Sequence, residues 1–262
     1  DADIAAGSID TAQIADDAVT ADKLANAINT SIAAKSPTAS PVFTGKVGIG
    51  SSSPVRQLEI KDDGTLGQAI VGIIADAGDP AGVFMGTTSN NNVGGIRYFT
   101  DTDKLALRSG DEDRLIMDSV GRVTKPYQPC FSATATTTNI PLTTSTTVTL
   151  SAERFDVGGN LANNIFTAPI TGKYLFTYIF YISNLDAGHT TFDAHILTSN
   201  KQYQQTFKPS VFMNSDGNFG VSGSVIADMD INDTCRYTVY VSGGSAQTDI
   251  HGDSHVSGAL LF

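Results

Sequence analysis

The sequence predicts an all-β chain, and three observations support this fold class. Residues 166–182, FTAPITGKYLFTYIFYI, alternate as a β-strand does, with large apolar side chains on both faces. Threonine and glycine are plentiful and tryptophan is absent, a composition that suits strands and turns better than helices. Short strand-like segments over 47–125 are separated by Gly, Asn and Asp turn signals about every ten residues.

The two faces of the strand in 166–182 predict two different surroundings. One face carries the alternate apolar residues from Tyr174 to Ile182, and the other carries Leu175, Ile179 and Tyr181. A single sandwich covers only one face of a strand, and large exposed apolar patches usually mark an interface. We therefore expect the first face to line a core and the second, Leu175, Ile179 and Tyr181, to form an interface between copies in a homotrimer.

The overall composition excludes several classes of function. The 262 residues carry a net charge of −11 and contain no basic patch, which argues against nucleic-acid binding. No apolar run approaches the roughly 20 residues of a membrane helix, and no leader pattern is present, so no membrane insertion is expected. The chain begins at Asp1 inside a repeat, which suggests a piece of a longer protein. Cys130 and Cys235 are expected to be small buried apolar residues, with a disulfide between them as the alternative.

Residues 1–46 predict an N-terminal stalk built from a repeat. Apolar residues recur every five positions, a spacing that lines up on neither a helix nor a strand: Ile4, Ile9, Ile14, Val19 and Leu24. One interpretation is an extended rung and turn in which each copy sends one apolar residue per rung to a shared axis. The alternative is a disordered Ala- and Asp-rich linker.

A short helix is predicted at about 20–34, inside the stalk. Leu24, Ile28 and Ile32 are spaced by four, Thr20 and Asp22 suit a helix start, and a Ser-Pro linker follows. An isolated helix of this length is marginal, so we expect it to bundle with the same helix of other copies.

Two phrases after this helix resemble a known class of protein. SPTASPVFTG, followed by VGIGSSSPVRQLEI, is similar to linker and stalk segments of bacteriophage tail fibres, particularly those of cyanobacterial phages. The resemblance implies a virion protein of the phage tail that acts outside the cell and joins other tail proteins through its N-terminal part.

Residues 47–125 predict a small β-rich fibre domain that completes its core by trimerising. The short strands expected there lie at 57–61, 69–75, 83–85, 95–100, 104–108, 114–118 and 121–124.

Residues 126–262 predict a C-terminal head with a recognisable motif. Phe166, then Gly172-x-Tyr174-x-Phe176-x-Tyr178, and the terminal SGALLF resemble the C1q/TNF family of trimeric jelly rolls. The resemblance implies a homotrimeric jelly-roll β-sandwich, with a generic β-sandwich as the alternative. The family usually has an aromatic residue where this chain has Gly159, which affects the loops leading into the motif.

The number of predicted strands in the head, their strand parity, indicates which loops lie together at one end and form the candidate site. The Thr-rich run TATTTNIPLTTSTTVTL is expected to form exposed outer strands, with a mucin-like segment as the alternative. Strands are predicted near 173–183, 190–198, 202–208, 219–229, 234–242 and 255–262. If these strands run up and down, the loops 184–189, 209–218 and 243–254 share the end opposite both termini of the head. Loops on a rigid scaffold commonly carry binding residues.

These loops supply the candidate receptor-binding residues. They are polar side chains suited to hydrogen bonds with a glycan or a polar protein surface: Asp186, His189, Asn214, Asp216, Asn218, Gln247, Asp249, His251 and Asp253. We expect adhesion to a host cell-surface receptor. The alternatives are a head that mainly drives trimerisation, with recognition elsewhere, and a polysaccharide-degrading tailspike.

No enzymatic activity is expected. The nearest approach to a catalytic or metal-binding set is Asp249, His251, Asp253 and His255, and a solvated polar loop explains their spacing as well. No cofactor is predicted, although three copies of these residues at a trimer tip suit Ca²⁺. A tailspike needs a long parallel β-helix, for which the predicted domains leave little room.

Overall fold

The computed structural model describes residues 45–49, 51–61 and 69–262. The predicted repeat stalk and its helix at about 20–34 lie outside the described residues. The chain divides into two compact units, Asp1–Ile73 and Ile74–Phe262. The described residues include no helix with the length and hydropathy of a membrane span.

The described part of the first unit contains a small parallel strand pair. Strands β1 (Val47–Ile49) and β2 (Leu58–Ile60) pair in parallel. The Glu59 carboxylate accepts hydrogen bonds from the Ser51 hydroxyl and the Val55 amide, which closes the connection between the two strands. The segment 69–75, predicted as a strand, has no regular structure, and this prediction is wrong. Apolar composition alone indicated a strand there.

The second unit begins with a five-stranded antiparallel sheet, which we call the meander. Its strands follow chain order: β3 (Pro80–Met85), β4 (Gly94–Phe99), β5 (Lys104–Ser109), β6 (Glu112–Met117) and β7 (Val123–Thr124). The turn between β5 and β6 uses Gly110 and Asp111, both with positive φ, which glycine and aspartate tolerate best.

The head that follows is a jelly-roll sandwich of two sheets. The first sheet has the order β10 (Thr149–Val157), β8 (Cys130–Thr137), β18 (Asp249–Leu260), β13 (Gly172–Ser183) and β16 (Phe219–Met229). The second has the order β11 (Leu161–Ala162), β12 (Ile165–Thr167), β17 (Thr234–Gly243), β14 (His189–Thr198) and β15 (Gln202–Phe207), with β9 (Thr146–Thr147) also paired to β17. A single turn of helix, α1 (Pro209–Phe212), lies between β15 and β16.

The core between the two sheets confirms the predicted inward face of β13. In β13 the inward side chains are at most 3% exposed: Tyr174, Phe176, Tyr178, Phe180 and Ile182. In β17 the inward residues are at most 2% exposed: Cys235, Tyr237, Val239 and Val241. The rings of Phe131 and Phe166 stack 5.1 Å apart across the sandwich, so aromatic contacts link the sheets.

Only the last part of the Thr-rich run forms outer strands as expected, namely β9 and the start of the edge strand β10. The first part of the run is β8, which lies between β10 and β18 inside the first sheet. Ala133 and Ala135 of this strand are fully buried, because their small side chains fit where the two sheets approach. The threonines alternate with them and stay partly exposed. Alternation was present in the sequence, but alanine is too small to indicate a core position.

Two further details bear on the sequence analysis. Cys130 and Cys235 are both free; Cys235 is buried as expected, whereas Cys130 is only partly buried, and burial raises the pKa of each thiol. Gly159, which replaces the family's usual aromatic residue, has φ of +65° beside Gly158 at +98°. The turn between β10 and β11 therefore uses a backbone conformation that favours glycine.

Candidate functional site

Three connections of the head meet at one end, which we call the tip: residues 184–188, 213–218 and 244–248. The Leu185 amide donates to the Gly217 carbonyl oxygen (2.9 Å), and the Ser245 amide donates to the Asp186 carboxylate (2.7 Å). At the other end of the strands, the Lys173 amide donates to the carbonyl oxygen of the terminal Phe262. The tip therefore lies opposite both ends of the head, as strand parity predicted.

Asp186 joins two of the tip loops. Its Oδ1 accepts a hydrogen bond from the Gly188 amide and its Oδ2 one from the Ser245 amide, each at 2.7 Å. Gly243 and Gly244 have positive φ, which turns the backbone toward this carboxylate. The backbone donors of Gly188 and then Ser245 hold the pKa of the Asp186 carboxyl below its ordinary value. Asp186 thus organises the tip from within.

Asp186→Asn is expected to release one of the two loops. An amide has a single acceptor oxygen, so its nitrogen would face one of the two N–H donors. We expect whichever of the Gly188 and Ser245 amides loses its acceptor to exchange with deuterium at least tenfold faster, with little change in core protection. Asp216→Asn is the control, since the one side-chain hydrogen bond of Asp216 is a 3.5 Å contact with Ser215. Unchanged exchange at both amides in Asp186→Asn would contradict this role.

The same carboxylate gives the tip a dependence on acid. The folded-state pKa of Asp186 lies below its ordinary value of 3.8. The stabilising contribution of the ionised form is therefore fully present above that value and is lost as the pH falls through the folded-state pKa. We expect the Gly188 and Ser245 amides to lose protection below about pH 4, and Asp186→Asn to remove this pH dependence.

Asp249 connects a fourth segment to the tip. Its Oδ1 accepts a hydrogen bond from the Asn139 amide and its Oδ2 one from the Asn184 side chain, each at 2.7 Å. Asn139 and Asn184 both have positive φ, so each lies in a tight turn. Asp249 is the first residue of β18, and both of its oxygens are already engaged. This placement favours a structural role.

His189 is buried, which corrects its expected position on the binding surface. It is 1% exposed, its Nδ1 lies 2.6 Å from the Gly243 carbonyl oxygen, and its Nε2 lies 2.7 Å from the Thr248 hydroxyl. The imidazole supports the loop 244–248 from below and cannot touch a partner at the surface. A polar residue in a short loop looks the same in sequence whether it points inward or outward.

His251 and Asp253 lie in a strand, which corrects the loop predicted at 243–254. Strand β18 begins at Asp249, and its register to β13 shifts between Ile250 and His255. The buried Ser254 hydroxyl accepts a hydrogen bond from the Tyr181 amide at 2.9 Å, so a side chain replaces a strand contact. The resulting bulge displaces residues 251–253 outward.

Side chains in this bulge contact one another. The His251 ring lies 4.8 Å from the Tyr181 ring, and its Nδ1 is 3.3 Å from an Asp253 oxygen. Both His251 and Asp253 are exposed. No group of three metal-ligating His, Cys, Asp or Glu side chains occurs among the residues that the structure describes. Ca²⁺ at a tip shared by three copies stays a prediction.

The remaining candidates divide between internal and external roles. The Asn214 Oδ1 accepts hydrogen bonds from the amides of Asp216 and Asn218, so Asn214 shapes its own loop. The side chains of Asp216 and Gln247 are exposed. Together with the exposed His251 and Asp253, they belong to the accessible polar surface of the tip.

The outer face of the first sheet is apolar around Leu175, Ile179 and Tyr181, the residues that the sequence analysis predicted to form an interface. Ile179 is 61% exposed, and two residues missed in the sequence join it, Ile226 at 59% and Phe155 at 50%. A pocket of about 140 Å³ lies between Phe155 and Leu175 on this face. Tyr181 and Leu175 are half-buried. Phe155 was missed because its strand contains a bulge, which breaks the alternation that indicates a face.

Comparisons with known proteins give structural similarity and no sequence family. No family model matches the chain, and no curated protein matches it. The globular domain of zebrafish complement 1qA protein is 15% identical, covering 52% of this chain and 98% of that chain, with a TM-score of 0.39. PRD1 vertex protein P5 is 12% identical, covering 52% and 99%, with a TM-score of 0.35. Murine APRIL is 11% identical, covering 51% and 99%, with a TM-score of 0.34.

Proposed function

We propose that this chain is part of a bacteriophage tail fibre whose homotrimeric head adheres to a glycan or protein on the host cell surface. The observation that carries the proposal is the position of the tip. Three loops, joined by the hydrogen bonds from the Ser245 amide to Asp186 and from the Leu185 amide to Gly217, lie opposite the end where the chain enters and leaves the head. A stalk attached at that end presents the tip away from the virion.

The outer face of the first sheet supports the trimer in this proposal. Exposed Ile179, Ile226 and Phe155 would otherwise lie in water, and their removal from it is favourable at about 25 cal/mol per Å². Three copies packed through this face bring three tips together. Repetition of weak sites then raises the avidity of the whole fibre without a tight single site.

The N-terminal segments support the virion assignment. SPTASPVFTG and VGIGSSSPVRQLEI precede the head in the same order as the tail-fibre segments that they resemble. Joining to other tail proteins through residues upstream of the head, and action outside the cell, follow from that resemblance. No catalytic step is part of the proposal.

Binding to host cells tests the proposal. The full chain, with its mass in solution measured, is added to susceptible and resistant cells, and we expect a trimer that binds only susceptible ones. Asp216→Ala combined with Gln247→Ala should reduce binding at least tenfold with an unchanged melting temperature, because both side chains are exposed. Asp230→Ala, in the turn between β16 and β17 at the opposite end, is the matched control.

The outcomes separate the proposal from its alternative. If the wild-type trimer binds neither cell type, the head mainly drives trimerisation and recognition lies elsewhere. If the tip variant binds as well as the control, the tip is not the receptor site.

A further inference from the structure

The meander has one face with two adjacent rows of apolar residues and no charge within them, which we call the meander apolar face. Cross-strand partners point to the same side of a sheet. One row of partners is Ala81, Tyr98, Leu105, Met117 and Val123, and the next is Val83, Ile96, Leu107 and Leu115. Met85 continues the same face beyond Val83. Every position in both rows is apolar or aromatic.

Arg97, Arg108 and Asp113 lie on the opposite face, whereas Glu112, the partner of Ser109, lies at the edge of the apolar one. On the opposite face Arg97 contacts Asp113 at 2.6 Å, and Arg108 lies 3.6 Å from the same carboxylate. These three side chains are 13–18% exposed. On the meander apolar face, Met85 is 58% exposed and Leu107 is 44% exposed. The single chain therefore partly buries these three charged side chains and leaves apolar side chains exposed to water. Both features are unfavourable for the stability of an isolated chain.

The size of this face matches a protein interface. Eight of its side chains are 38–58% exposed, which corresponds to roughly 700 Å² per copy, close to the about 800 Å² per partner of a standard interface. Isolated chains rarely expose continuous apolar patches of that size. The two apolar rows offer no charge that would select a foreign partner, and Glu112 at their edge is already bonded to Tyr127 of the same chain. The same rows of another copy match them in chemistry and extent.

The junction with the head favours another copy as the occupant. The Tyr127 hydroxyl donates to Glu112 of β6 at 2.7 Å, and the Arg114 guanidinium lies 4.3 Å from the Tyr127 ring. Tyr127 lies three residues before β8, so these contacts couple the meander to the start of the head. Heads that associate would bring their meanders together at high effective concentration.

We propose that the meander apolar faces of the copies in one fibre pack against each other, forming a second self-association surface separate from the head. This inference rests on the trimer of the proposed function. Three sheets that share their apolar faces make a closed core with the ion pairs of Arg97, Arg108 and Asp113 on the outside. The meander then belongs to the shaft of the fibre and gains its core only by assembly.

Methionines already present in the chain report on this packing. Met85 and Met117 lie on the meander apolar face, at 58% and 38% exposure, and Met229 is fully buried in the head. Hydrogen peroxide oxidises accessible methionines to sulfoxide, and peptide mass spectrometry locates the product. In the full-length trimer we expect Met85 and Met117 to react at least tenfold more slowly than in Leu107→Glu, where three buried carboxylates would separate the sheets. Met229 should stay protected in both proteins, which shows that the head is folded.

Two further variants and the mass in solution complete the test. Val83→Glu should act as Leu107→Glu does, whereas Thr124→Glu, on the opposite face, should leave the oxidation rates unchanged. A wild-type trimer in which Met85 and Met117 react as fast as in Leu107→Glu overturns the inference and leaves the proposed function standing. If the wild type is a monomer and Met85 and Met117 are still oxidised slowly, the chain covers the meander apolar face by itself. That result contradicts packing against a second copy. If the wild type is a monomer and both methionines are oxidised rapidly, the result contradicts both the proposed trimer and this inference.

Discussion

Gly258→Val is expected to prevent the head from folding stably. Gly258 lies in β18 directly beneath the aromatic core, and a Cβ at this position would meet the Phe131 ring and lie 2.7 Å from the Phe176 ring. Neither ring can retreat, because both are at most 1% exposed and closely packed. We expect the free energy of unfolding to fall by about 3 kcal/mol or more. Urea denaturation followed by circular dichroism measures the change.

Gly252→Ala is the matched control on the same strand. A Cβ there has no neighbouring atom within 4 Å, because the bulge displaces this residue into open space. The expected change in unfolding free energy is within about 0.5 kcal/mol. Equal stability of Gly258→Val and Gly252→Ala would show that the two sheets are not packed as described at Phe131 and Phe176.

Ile179→Asp is expected to have the largest effect on assembly. Ile179 is 61% exposed on the outer face of the first sheet, so the single chain tolerates a carboxylate there. In the proposed trimer the same position is buried, and an unpaired carboxylate is costly in an apolar interface. We expect a monomer at micromolar concentration in light scattering, where the wild type is a trimer. Tyr181→Asp should give monomeric or aggregated protein for the same reason.

Thr147→Asp serves as the control for the assembly experiment. Thr147 is exposed on β9 of the second sheet, so the same charge is introduced away from the proposed interface. We expect its mass and melting temperature to match the wild type. A well-behaved trimer from Ile179→Asp would place the interface elsewhere, and a monomeric wild type would exclude the homotrimer.

The sequence predicted the parts of the fold that depend on periodic large side chains. Strand β13 alternates aromatic residues with period two, and the structure buries Tyr174, Phe176 and Phe180 as expected. Strand β8 was misplaced because its inward residues are alanines, which signal burial weakly. The run 69–75 was misassigned as a strand because composition does not reveal whether a pairing partner exists. Both errors arise because strand pairing and burial depend on residues that are distant in the sequence.

The position of the tip was predictable, and the roles of its residues were not. Strand parity placed the three loops at one end, because that argument needs only the number of strands. The sequence suggested that Asp186 and His189 are surface residues. In the structure Asp186 bonds the Ser245 amide and His189 bonds the Thr248 hydroxyl, so both stabilise the tip loops from inside. The bulge at residues 251–253 depends on one hydroxyl, that of Ser254, which no sequence pattern marks.

The placement of both ends of the head opposite the tip has a mechanical consequence. Strand β8 enters from that end and pairs antiparallel with β10 on one side and β18 on the other. In the proposed tail fibre, a virion attached upstream that pulled against a bound tip would place tension along β8. The hydrogen bonds of an antiparallel ladder are perpendicular to the strands, so such tension shears both ladders at once instead of unzipping them bond by bond. Resistance to detachment under flow would then be set by how quickly β8 slides out, rather than by the equilibrium stability of the head.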